Sequence, residues 1–140
     1  MKNEINYIWK DNKKLTIGSP LNGTKTLIMG ILNVTPDSFS DGGKWNSIDN
    51  ALRHMEEMIE AGADIIDIGA ESSRPGFQVM SAKEEIERLS PFLEAIVPKC
   101  PVPISIDTFK AETAEFAAKM GVHILNDIWG LQYAERISLT

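Results

Sequence analysis

Residues 27–43 read LIMGILNVTPDSFSDGG, eight almost wholly apolar residues from Leu27 to Val34 running straight into a polar loop. An unbroken apolar run of this length suits a strand covered on both faces, as strands of parallel sheets are. The loop leaves the C-terminal end of that strand. In folds built from parallel strands and helices, this is the end at which sites assemble.

The pattern repeats on the C-terminal side. From Ser47 to Ala61, apolar Ile48, Ala51, Leu52, Met55, Met58 and Ile59 recur every three or four residues and Gly62 follows, which predicts an amphipathic helix with a glycine stop. Asp64 to Ile68 (DIIDI) is a second strand, and the polar loop GAESSRPG leaves it. The next helix opens with a capping box, Ser81 and Glu84, and its inward face is expected to be Ile86, Leu89, Leu93 and Ile96. Pro91 falls inside this pattern and predicts a kink or two short helices. Val102 to Ile106 is a third strand closed by Asp107 and Thr108, then come a helix from about Lys110 to Met120, Gly121, and a fourth strand, His123 to Asn126.

On the N-terminal side, Tyr7-Ile8-Trp9 and Leu15-Thr16-Ile17 flank the polar run Asp11 to Lys14, which predicts a β-hairpin within residues 1–22. Strict alternation of strand and helix then occupies residues 23–140. The segments EAGADIIDIG at Glu60 to Gly69 and KMGVHILNDIWG at Lys119 to Gly130 echo each other as helix end, glycine and strand, which favours a barrel of repeated βα units. Such a barrel needs eight strands and about 250 residues, so four βα units are expected to form half of one. Its site is expected at Asn33, Asp67, Asp107 and Asn126, the polar residues at the strand ends.

Composition narrows the functions available. The chain has 140 residues, is 43% hydrophobic and 24% charged, and carries a net charge of -6 with scattered basic residues. Those values are those of a soluble globular protein and supply no continuous positive surface for nucleic acid. A small anionic substrate remains compatible, because a cation or one placed Arg reverses the local field. The single Cys100 has no intrachain partner, which implies a reducing compartment. The N-terminus lacks a signal-peptide stretch and no segment has the apolar length of a membrane span, so a cytoplasmic location is expected.

The first loop holds Asn33, Thr35, Asp37, Ser40 and Asp41, with Phe39 among them and two glycines after. Oxygen donors of this kind suit Mg²⁺, which keeps several waters and takes few protein ligands beside substrate phosphates. Asn, Asp, Ser, Pro and Gly also build turns for backbone reasons alone, so residue type leaves both readings open.

The segments GILNVTPDSFSDGG, ADIIDIGAESSRPG, SIDTFK and ILNDIWG occur in the order and approximate spacing of dihydropteroate synthases. Over Leu27 to about Gly130 the chain resembles the N-terminal half of that family. The resemblance implies a (β/α)8 TIM barrel, here its first four βα units behind an N-terminal hairpin. It also implies a sulfonamide-sensitive transferase of folate biosynthesis that joins 7,8-dihydropterin-6-ylmethyl diphosphate to 4-aminobenzoate, giving 7,8-dihydropteroate and diphosphate, with Mg²⁺ assisting departure of diphosphate.

Position by position, the resemblance makes Asn33 the protein ligand to Mg²⁺. It puts Asp37, Phe39 and Asp41 in a loop closing over the diphosphate and aminobenzoate sites. Ser73 and Arg74 serve those same sites, although Thr is more usual in the family where this chain has Ser73. Asp37, Asp41 and Arg74 are the catalytic candidates. Asp107 and Asn126 bind the pterin, whose edge offers N–H donors to a carboxylate and both kinds of partner to a carboxamide.

Asp67 and Asp127 are weaker candidates for support, and Lys110 is expected to open a helix. His54 and His123 lie away from the catalytic end, and Trp9, Trp45 and Trp129 are expected to pack. The family's later strands supply a further pterin-binding Asp, a Lys, an Arg and a His that have no counterpart in these residues. Low activity for this chain alone is therefore expected. Two other readings remain at this stage: the pterin domain of a corrinoid methyltransferase, which needs no diphosphate loop, and a non-enzymatic pterin-binding half-domain. A homodimer is implied for the full-length family, and self-association for a half-barrel with open strand edges.

Overall fold

A computed structural model describes residues 4–9, 12–34, 43–70 and 79–130. Strand β1 (Ile5–Ile8) pairs antiparallel with β2 (Lys14–Ile17), Tyr7 opposite Leu15 and Ile8 opposite Lys14. This is the expected hairpin. Among the described residues Asn12, at its turn, is the non-glycine residue with positive φ (61°), a conformation Asn tolerates better than most residues.

The main layer is a four-stranded parallel sheet in chain order: β3 (Met29–Asn33), β4 (Ile65–Gly69), β5 (Ile104–Asp107) and β6 (Ile124–Asn126). Helices α1 (Gly43–Glu60), α2 (Ala82–Ile96) and α3 (Ala111–Lys119) make the three crossovers. Strand order equal to chain order, with a helix between each pair, is the arc of a (β/α) barrel. Helix α1 stops where the sequence requires: Gly62 has φ +111°, open to glycine at no steric cost.

Register assigns each residue to a face. Leu32, Ile68, Ile106 and Leu125 form one row, with Gly30, Ile66 and Ile104 beneath it. Leu32, Ile66, Ile68, Ile104 and Ile106 are almost fully buried against Ala51, Met55, Leu89, Leu93, Ile96 and Ala117 of the helices. Burying each such branched side chain contributes about 1.5–3 kcal/mol. The opposite face carries Met29, Ile31 and Asn33 on β3, Ile65, Asp67 and Gly69 on β4, Ser105 and Asp107 on β5, and Ile124 and Asn126 on β6.

Three expectations need correction. Strand β3 is covered on one face only: Leu32 is buried, whereas Met29 and Ile31 are 40% and 61% exposed on the barrel-interior side. Helix α2 does not bury Ile86 fully. Glu85, Leu89, Phe92, Leu93 and Ile96 fill that face, the acid being tolerated because Lys110 neutralises it. Finally, of the kink or the two short helices expected at Pro91, the split is ruled out, because α2 is one helix from Ala82 to Ile96. Its start is as expected, with Glu84 N–H donating to Ser81 Oγ and Ser81 N–H donating to Glu84 Oε2, each at 3.2 Å.

The N-terminal end of the sheet is closed by the hairpin and its neighbours. Tyr7 Oη donates to the His123 carbonyl at 3.2 Å, and Trp9 meets the His123 ring edge-on at 5.1 Å. His123 Nδ1 accepts from Ile104 N–H, so its proton-bearing nitrogen in the neutral ring is Nε2. Asp64 receives Lys25 Nζ at 2.7 Å and Ile28 N–H at 2.9 Å. The Lys25 ammonium beside it holds the Asp64 carboxyl below its ordinary value. His123 thus serves the closed end, as its place at the start of a strand suggested.

Candidate functional site

The C-terminal strand ends make one row across the interior face. Asn33 pairs in register with Gly69, and Asp107 with Asn126. Gly69 sits between Asn33 and Asp107. A Cβ added there would lie 3.3 Å from Asp107 Cβ, 3.5 Å from Asp107 Oδ2 and 3.8 Å from Asn33 Oδ1. The missing side chain therefore lets the Asn33 carboxamide and the Asp107 carboxylate close in over the β4 backbone from either side. Glycine often marks a strand position where a ligand approaches the backbone closely.

One pleat deeper lies a polar floor. Asp67 is mid-strand, not at the end of β4 as the sequence suggested, because β4 continues to Gly69. Its carboxylate is almost fully buried, and Oδ2 accepts from Asn126 Nδ2 at 3.3 Å. That bond orients the Asn126 carboxamide with its oxygen left to accept. Asp67 pairs in register with Ser105, and Asp67 Oδ1 and Ser105 Oγ are buried without a hydrogen-bond partner. Buried polar atoms left unpaired cost about 1–3 kcal/mol each, which an incoming donor or acceptor would relieve.

Glu85 and Arg88, which sequence reading passed over, sit behind the row with Lys110. Glu85, fully buried on α2, accepts from Lys110 Nζ at 2.8 Å and from Thr113 Oγ1 at 3.2 Å. Lys110 occupies the N-cap of α3, as its position predicted, but points inward and is buried. One turn further along α2, Arg88 Nη1 donates to the Ala70 carbonyl at 3.2 Å. Glu85 looked like one more acid on a charged helix face; a signal was available in its spacing, four residues before Leu89 and eight before Leu93.

Of the sequence candidates, Asn33, Asp107 and Asn126 are brought into this row, with Asp67 joined to Asn126 beneath it. Asp37, Phe39 and Asp41 in the first loop, and Ser73 and Arg74 in the second, lie outside the described residues. Asp127 instead accepts from Trp129 N–H at 2.9 Å in the turn after β6, and Trp129 is 53% exposed rather than packed. His54 is exposed on α1 beside Glu57.

Among the described residues no cluster of three His, Cys, Asp or Glu side chains is arranged for a metal. Mg²⁺ does not need one, since it keeps waters and takes few protein oxygens. The hard oxygen of Asn33, exposed at the mouth beside Asp107, has the donor chemistry that this ion accepts.

Residues 29–139 match the family model of the pterin-binding enzymes. The chain belongs to that family. Among pterin-binding enzymes, the dihydropteroate synthase of Clostridium beijerinckii is 56% identical over 110 residues, 79% of this chain and 41% of that protein. The crystal structure of dihydropteroate synthase from Clostridium difficile in the presence of pteroic acid superposes with TM-score 0.78 at 50% identity, covering 83% of this chain and 44% of that one. The Yersinia pestis dihydropteroate synthase, in complex with a sulfonamide drug, superposes with TM-score 0.74 at 43% identity, covering 94% and 46%. This chain spans about two fifths of the curated relative's length. The fold is that of these pterin-binding barrels, and the described sheet is four strands of it.

Proposed function

We propose that this chain carries the pterin and metal half of a dihydropteroate synthase site, which condenses 7,8-dihydropterin-6-ylmethyl diphosphate with 4-aminobenzoate. The observation behind this reading is the row of Asn33, Gly69, Asp107 and Asn126 over the buried Asp67. In the proposal the Asp107 carboxylate accepts from pterin N–H donors, while Asn126, with its amide engaged by Asp67, accepts through its oxygen.

Asn33 would hold Mg²⁺, which when bound neutralises charge developing on departing diphosphate. Asp37, Phe39, Asp41, Ser73 and Arg74 would close the diphosphate and aminobenzoate sites, Arg74 presenting a permanently charged planar fork to an anion. Self-association belongs to the same proposal and is supported by the exposed Met29 and Ile31 on the interior face. A cytoplasmic setting is supported by a free, buried Cys100, whose thiol burial pushes up, and by the absence, among the described residues, of a helix long and apolar enough to cross a membrane.

Titration calorimetry with free pterin and with the pterin diphosphate, each with and without Mg²⁺, tests the reading. Tightening by Mg²⁺ confined to the diphosphate ligand is expected, and Asn33→Ala should abolish it. Asp107→Ala should weaken both ligands by roughly 10- to 100-fold, the equivalent of the 1.5–3 kcal/mol of a hydrogen bond to a charged group. Equal affinity in every condition would remove the metal role, and an Asp107→Ala variant that binds normally would remove the pterin role.

A further inference from the structure

Resting on the reading of Asp107 and Asn126 as pterin contacts, we propose that Glu85 and Lys110 are positioning residues whose buried ion pair holds the Asp107–Lys110 segment in register for the pterin. Asp107 ends β5 and Lys110 caps α3, so the segment between them carries the ligand-facing carboxylate. It is tied at both sides. Thr108 N–H donates to the Asn126 carbonyl at 3.1 Å, fastening it to β6. Lys110 N–H donates to Thr108 Oγ1 at 3.2 Å, and Lys110 Nζ reaches across to Glu85 of α2.

Stability alone does not account for this pair. Removing both charges from water costs more than their attraction returns in many proteins, and apolar side chains of equal volume commonly serve as well or better. Glu85 carries an added cost, because its Oε1 is buried with no hydrogen-bond partner. A short charge-assisted bond does supply direction, which an apolar contact lacks. Thr113 Oγ1 donates to the same Glu85 oxygen at 3.2 Å, so the first turn of α3 is held with the loop before it. Arg88, three residues along the same helix, grips the Ala70 carbonyl just past β4. Helix α2 therefore sets the exits of two adjacent strands at once, and the row above them inherits that geometry.

The test replaces both charges together, Glu85→Leu with Lys110→Met in the full 140-residue chain, so that neither is left unpaired. Three quantities are measured: the urea midpoint, the affinity for pteroic acid, and amide hydrogen exchange at Thr108, Ile68 and Leu93. The expected result is a midpoint unchanged or raised, exchange faster at Thr108 but not at Ile68 or Leu93, and affinity weakened roughly tenfold, the effect of about one displaced hydrogen bond. Unchanged affinity with unchanged Thr108 protection overturns the proposal. So does faster exchange at all three amides with a lowered midpoint, which marks a purely structural pair. Should the double variant not fold, Glu85→Gln keeps the shape but leaves Lys110 without its counter-charge, so its midpoint is expected to fall and it is judged on affinity and on the three amides alone. If the unmodified chain fails to bind pteroic acid, the pterin reading falls, and exchange at Thr108 alone decides whether the pair positions the segment.

Discussion

The two faces of the four-stranded sheet are made by alternate residues of the same strands, yet they differ in almost every physical respect. On the helix side Leu32, Ile66, Ile68, Ile104 and Ile106 are nearly fully buried and wholly apolar. On the interior side Asp67 and Ser105 are just as deep but polar, two of their atoms lack partners, and Ile31 lies 61% exposed. The first face gives up nothing to function. The second carries unsatisfied groups and open apolar surface, which is how a protein looks where it is arranged to meet something else.

The largest expected effect breaks the first face. Ile68→Ala removes a fully buried side chain and should cost about 2–5 kcal/mol by urea denaturation, whereas Ile31→Ala on the other face of the neighbouring strand should stay within about 0.5 kcal/mol. Comparable losses at both positions would erase the distinction. The interior face can be sharpened next. The chain should self-associate at micromolar concentration in a sedimentation experiment, and Ile31→Lys should shift it toward monomer without lowering the urea midpoint. A monodisperse, folded monomer of the unmodified chain would contradict this.

The smallest effect concerns the closed end of the sheet. The folded-state carboxyl of Asp64 is held below its ordinary value, first by the Lys25 ammonium and also by Ile28 N–H. The folded form therefore resists protonation more than the unfolded form. Its contribution is present above about pH 4, the unfolded carboxylate range, and is lost as pH falls through the lower folded value. Lys25→Met should remove a contribution below about 1 kcal/mol at neutral pH, because Lys25 is mostly exposed, and should flatten the acid limb of stability against pH. An unchanged acid limb would assign that limb to other carboxylates.

Much of the fold was legible because local chemistry and tertiary structure agree. The capping box at Ser81, the stop at Gly62, the heptad-like face of α1 and the apolar runs of the strands each demand what they form. The alternation of strand and helix, with polar strand ends, pointed to a barrel arc and to Asn33, Asp107 and Asn126. Asp67 was misplaced because a strand's last residue depends on hydrogen bonds to its neighbours, and β4 extends to Gly69 through pairing with Asn33 of β3. Glu85 was missed because an acid's partner can lie on another element: Lys110 is 25 residues away along the chain.

By itself, the sequence determined the apolar runs, their periods and the motifs that tie the chain to the pterin-binding enzymes, since these depend on residue type and spacing. Only the tertiary structure decided that Asn126 leans on Asp67, that Gly69 lets Asn33 and Asp107 close in on either side of it, and that Glu85 meets Lys110 out of water. Those are relations between different strands and helices. Their energies depend on distance and burial, which arise when the sheet assembles.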